Sequence, residues 1–176
     1  MNFSQIPQYS YASYSVDHCL SFLPESVQKY VDEYGLDLNP DFQRAHVWSK
    51  LQQSRYVEFL LKGGRSSRDL YFNAKGWMRD FKGPFVIVDG KQRLQACLDF
   101  MDNKVKVFDG LFFKDIEGRM SLCLTLKFHI NDLPTRLQTL KWYLDLNEGG
   151  VVHTSDELQK VRSLLDEEIG KTQDFS

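Results

Sequence analysis

Phe85-Val86-Ile87-Val88-Asp89-Gly90-Lys91-Gln92-Arg93-Leu94 constrains this chain more than any other stretch: an apolar β-branched run stops at an acid and a glycine and then turns helical. Behind Arg93, the residues Leu94, Ala96, Cys97, Leu98, Phe100 and Met101 can line one face of a helix. The pattern predicts a strand that ends at a helix N-terminus, where the first backbone N–H groups lack intrahelical partners and attract anions, phosphate above all. Within five residues the same turn carries a carboxylate (Asp89), an amide (Gln92) and two cations (Lys91, Arg93). An ordinary βα turn with solvated charges is the bland alternative.

Composition limits what surrounds this turn. The 176 residues suit one domain with a full core, and 42% hydrophobic with 14% aromatic content argues against disorder. A formal charge of −2 provides no broad basic surface, so nucleic acid is not favoured as a partner without a local patch. Three cysteines, Cys19, Cys97 and Cys123, are odd in number, widely spaced and set among apolar residues, which suggests buried thiols in a reducing cytoplasm. Neither a leader-like N-terminus nor a run of about 18 apolar residues is present, so an unexported protein without membrane contact is expected.

Along the chain, residues 1–15 alternate Tyr9, Tyr11 and Tyr14 with small polar residues, as an extended arm or an edge strand would. Pro24, then Val27, Tyr30, Val31 and Tyr34 before Gly35, predict a short helix, with residues 36–39 extended after it. Ser49 and Gln52 form a capping box for a helix ending at Gly63-Gly64. Residues 69–73 and 85–88 read as strands around a loop at 76–83, followed by a helix over 91–102. Further strands are expected at 104–107 and 120–128, with a hairpin arm at 111–113 and its turn at 115–118. Asp132 is the expected N-cap of a helix carrying Leu137, Leu140, Tyr143 and Leu144. A last helix opens with Thr154 and Glu157, and the tail from Gly170 frays.

Three more polar clusters bear on chemistry. In the first, Asn39-Pro40-Asp41-Phe42-Gln43-Arg44 with Val47-Trp48, the apolar members are expected to plug the core. Gln43 and Arg44 are then fixed where a guanidinium could take a phosphate bidentately, or where Arg44 caps a helix or pairs with a carboxylate. Gly63-Gly64-Arg65-Ser66-Ser67-Arg68 reads as a phosphate-lining loop or as a flexible basic turn. Asn147 and His153 flank Gly149-Gly150, facing a ligand or capping helices. No Walker A, GxGxxG or GxSxG pattern occurs, and the four histidines and three cysteines lack zinc spacing.

Taken in order, Asp41-Phe42-Gln43-Arg44 with Val47-Trp48, Gln52-Gln53-Ser54-Arg55, Asp89-Gly90-Lys91-Gln92-Arg93-Leu94 and Leu146-Asn147-Glu148-Gly149-Gly150 with Glu157-Leu158 resemble a known family over roughly Leu36 to Leu165. That family is the ParB/sulfiredoxin-like domain with the DGQQR motif, the N-terminal module of GmrSD-type modification-dependent restriction enzymes, also found alone in phage genomes. The resemblance implies a single compact α+β domain over 1–176, with a small mixed sheet and packed helices. It also implies a strand-to-helix turn that binds nucleoside triphosphate phosphates, with hydrolysis in some members. Carried across are Asp89, Gly90, Gln92 and Arg93, with Gln43 and Arg44. Lys91 stands where glutamine is usual, residues 63–68 replace a proline-rich loop, and no HNH module is present, so DNA cutting by this chain alone is not expected.

The expectation that follows is a cytoplasmic nucleoside triphosphate-binding domain with nucleotide phosphohydrolase or related phosphoryl chemistry. Asp89, Gln92 and Arg93 act in catalysis. Gly90, Lys91, Arg93, Gln43, Arg44, Arg68 and Asn147 line the phosphates, and Asp89 meets a magnesium ion that arrives with the nucleotide. The rival expectation is a non-enzymatic binding protein that engages a host restriction or defence system, or senses nucleotides.

Overall fold

The computed structural model describes residues 14–43, 47–148 and 155–173. Tyr9, Tyr11, Arg44, His153, Gly149, Gly150 and Thr154 lie outside them. A five-stranded mixed sheet runs in the order β1-β5-β3-β4-β2. Its strands are β1 (Tyr14–Cys19), β2 (Leu36–Asp37), β3 (Asp69–Ala74), β4 (Phe85–Asp89) and β5 (Thr125–Asn131). β1–β5 and β3–β4 are antiparallel, whereas β3–β5 and β2–β4 are parallel. The helices are α1 (Leu23–Tyr34), α2 (Lys50–Leu61), α3 (Lys91–Met101), α4 (Arg136–Glu148) and α5 (Ser155–Gln173). The fold is α+β, as expected.

Side chains alternate across a strand, so the two faces of the sheet pack separately. On one face Leu70, Phe72, Phe85, Ile87, Leu126, Phe128 and Ile130 pack with Leu23, Val27, Leu60, Leu94 and Cys97 of α1, α2 and α3. On the other, Val86 and Val88 meet Phe42, Leu140, Trp142, Tyr143 and Leu144, with Val161 of α5 behind them. This second cover lies over β4 and reaches Tyr71 of β3; Ser15 and Asp17 on β1 remain exposed. A third cluster, Val57, Ala96, Phe100, Val105 and Val107, joins α2 to α3.

Several expected elements form with other bounds. Val105 and Val107 alternate because both are core plugs; the only pairing at this place among the described residues is a bridge from Val107 to Leu111. The expected hairpin arm and turn at 111–118 give way to a 3₁₀ turn at Phe113–Asp115. Strand β5 starts at Thr125 and not at Met120, since its partners begin at Cys19 and Asp69. Thr135 caps α4 through Gln138, while Asp132 instead accepts the Gly76 N–H at 2.5 Å. α5 continues past Gly170 to Gln173. Val47 is 54% exposed and does not plug the core, unlike Phe42 at 4%. Of the cysteines, only Cys97 is fully buried, and Cys123 is exposed.

Candidate functional site

Gly90 is the hinge on which the strand-to-helix turn is built. At φ 95° and ψ 7° it occupies the left-handed region, and a Cβ there would sit 2.2 Å from Leu70 Cδ2 and 3.3 Å from Leu70 Cα. Only glycine fits both constraints. The turn opens α3 with no side-chain cap, and the first intrahelical bond runs from Leu94 N–H to the Gly90 carbonyl at 2.9 Å. Burial lowers the Lys91 ammonium pKa, with Asp37 pulling the other way.

Arg93 is held in place from two sides. One guanidinium nitrogen donates to Asp89 Oδ2 at 2.5 Å and another to the Asp69 carbonyl at 2.8 Å, leaving the side chain 19% exposed. The i,i+4 spacing from Asp89 to Arg93 brings carboxylate and cation onto one side of the turn.

The two glutamines serve as ties. Gln92 is buried, and its Oε1 accepts the N–H groups of Val47 at 3.0 Å and Trp48 at 3.2 Å. Gln43 Nε2 donates to the Val88 carbonyl. Residues 43 and 47 are therefore both fastened to the β4–α3 turn. Asp41 is anchored in turn by Arg136 Nη2 at 2.8 Å, and its backbone carbonyl accepts from Lys160 Nζ at 2.8 Å. The hydrogen bond from Arg136 holds the Asp41 carboxyl below its usual pKa.

Arg68 lies just before β3, at the same end of the sheet, with its guanidinium donating to the Gly64 carbonyl at 2.6 Å and the Cys123 carbonyl at 3.3 Å. It thereby orders the 63–68 turn. Asn147 is buried and donates to the Tyr143 carbonyl at 2.6 Å, within its own helix.

Strand register adds residues that the sequence reading did not single out. Ser15 pairs with His129, His129 with Tyr71 and Tyr71 with Asp89, which forms one row across four strands. Beside it run Asp17, Lys127 and Asp69. Burial pushes the Tyr71 hydroxyl pKa up, Asp69 and Asp89 add to the shift, and Arg93 opposes it. The signal available in sequence was the polar alternation Asp69-Tyr71 and Lys127-His129, which becomes a site only when register is known.

No three His, Cys, Asp or Glu side chains gather as a cation site among the described residues. Asp89 is a single carboxylate at the turn, and magnesium commonly keeps one protein carboxylate and takes its remaining ligands from phosphates and water.

The α+β domain thus presents an uncapped helix start beside an Asp–Arg pair, a combination of N–H donors and a guanidinium that is chemically suited to an anion. A family model, the N-terminal domain of the GmrSD restriction endonuclease, matches residues 27–169, and the chain belongs to that family. Searches of curated proteins and of solved structures gave no match. Among the described residues, no helix is long and apolar enough to cross a membrane.

Proposed function

We infer that this domain is the nucleotide-binding module of a restriction-type system and that it processes a phosphoanhydride at the Asp89–Arg93 turn. The observation that carries the reading is the left-handed Gly90, closed to any side chain by Leu70, opening an uncapped helix beside a preset guanidinium. Family membership supports it. The N–H groups at Gly90 and Lys91, with the Lys91 and Arg93 side chains, hold the phosphates and stabilise charge that develops on them. Asp89 orients Arg93 and is the carboxylate to which nucleotide-borne magnesium would bind; that ion supplies charge neutralisation when present. Gln92 and Gln43 keep residues 43, 47 and 48 against the turn.

The test is a thermal-shift titration with ribo- and deoxyribonucleoside triphosphates plus magnesium, followed by phosphate-release assays. Stabilisation of the wild type that vanishes in Arg93→Ala supports the site. Asp89→Ala should bind but lose turnover, and turnover retained in that variant would remove Asp89 from the chemistry. Stabilisation by no nucleotide would overturn the reading.

One observation favours a second reading, binding without hydrolysis. The Gln92 carbonyl oxygen, a candidate for positioning water, is already taken by two N–H groups. In that case the domain senses nucleotide for a partner of a restriction or defence system, and nucleotide-dependent stabilisation appears without phosphate release.

A further inference from the structure

Three side chains in adjacent strands form a continuous polar line that ends at Asp69, the residue whose carbonyl also holds Arg93. Ser15 Oγ lies 2.8 Å from His129 Nδ1, and His129 Nε2 lies 2.6 Å from Asp69 Oδ1. A carboxylate accepts, so in the neutral imidazole Nε2 carries the hydrogen toward Asp69, Nδ1 keeps its lone pair, and the Ser15 hydroxyl donates into it. The serine proton therefore already points at a base whose other side is set by an acid.

The imidazole is well located. Tyr71 stacks on it at 5.0 Å between centroids and 18° between planes, and its side chain is 20% exposed. Ser15 at the edge of the sheet is exposed to a reactant. Lys127 shares the face, two residues from His129 and in register with both Asp17 and Asp69, and brings a positive charge to the row beside the serine. A surface serine needs no histidine partner for stability, since an exposed cross-strand hydrogen bond contributes only about 0.2–1 kcal/mol. The order of roles matches that of serine hydrolases, with the ring turned so that Nδ1 and not Nε2 faces the nucleophile.

We propose that Ser15, His129 and Asp69 form a second catalytic site, a serine nucleophile for small carboxylic esters, beside the nucleotide turn and distinct from it in its reacting atoms. Ser15 Oγ attacks the ester carbonyl carbon while His129 Nδ1 takes the hydroxyl proton. The tetrahedral adduct collapses with cleavage of the ester C–O bond, and His129 returns that proton to the departing alcohol. Water then attacks the acyl–Ser15 carbonyl, giving a proton to His129. The carboxylic acid leaves as the proton returns to Ser15 Oγ. Asp69 is a positioning residue: it fixes the tautomer and balances the imidazolium.

The experiment is labelling of the full chain with a fluorophosphonate probe, in which the Ser15 O–P bond forms, P–F breaks and fluoride departs, followed by peptide mass mapping. The expected result is a single adduct on Ser15, absent in Ser15→Ala and formed at least about 100-fold more slowly in His129→Gln. Asp69→Glu, which keeps the carboxylate, should retain part of the rate that Asp69→Asn loses. No adduct on Ser15 in the wild type overturns the proposal, as does an equal rate in His129→Gln. Stabilisation of Ser15→Ala by nucleotide, measured in parallel, reports on the phosphate turn alone, so the two readings fail separately.

Discussion

A methyl group at position 90 has nowhere to go. It would meet Leu70, which is fully buried, and would demand a left-handed φ from alanine. Gly90→Ala is expected to lower the unfolding free energy by about 2–4 kcal/mol in urea titrations, and a loss within 0.5 or so would show that the turn can relax. His18 supplies a pH dependence. Burial keeps its imidazole below the usual 6.5, with Asp17 pulling upward, and its Nε2 meets the Tyr30 hydroxyl at 3.1 Å. The unfolded chain thus gains a proton near 6.5 where the folded one does not. Stability from this group is complete above that pH and declines below it, until the folded imidazole also protonates. Stability of the wild type should therefore fall relative to His18→Gln between pH 7.5 and 5.5, and a constant gap would refute the assignment. At this scale the sequence made the local geometry of Asp89, Gly90 and Arg93 legible, because they are neighbours in the chain. It could not assign Gln92 and Gln43 as ties, because their partners, Val47, Trp48 and Val88, lie about 45 residues away in each case.

Local signals decided the helices. Ser49 accepts from the Gln52 N–H while Gln52 reaches back to the Ser49 N–H at 2.8 Å, the reciprocal pair that the spacing predicts. Ser49→Ala should cost about 1 kcal/mol, read as a shift in the urea midpoint with unchanged slope. Gly35 ends α1 at φ 62° for the same local reason. Strands were less legible where alternation recorded burial rather than pairing. Val105 and Val107 point inward from a connection that turns through Asn103, Phe108 and Asp109, all at positive φ, so the chain cannot run straight there. Alternation from Met120 likewise overshoots the start of β5, because a strand begins where neighbouring strands offer partners and not where its own pattern starts.

Across the whole molecule, residues 41–43 couple the Asp89–Arg93 turn to the C-terminal helices. Gln43 and Val47 bind the turn, and Asp41 binds Arg136 of α4 and Lys160 of α5. Ligand at the turn should therefore slow amide hydrogen exchange in α4 and α5 as well as in α3, and Arg136→Ala should confine the protection to α3. Equal protection of α4 in that variant would show that the tie carries nothing. The row from Ser15 through His129 and Tyr71 to Asp89 has a different consequence, for how this gene can drift. Side chains in strands alternate with period two, so gaining or losing one codon inside β3 or β5 would rotate His129 or Tyr71 into the apolar layer and bring Phe128 or Phe72 out to water. Point changes on the open face leave the layers intact. Length changes are confined to the connections, such as 76–83 and 109–119, and related chains should differ in size there while the strands keep their count.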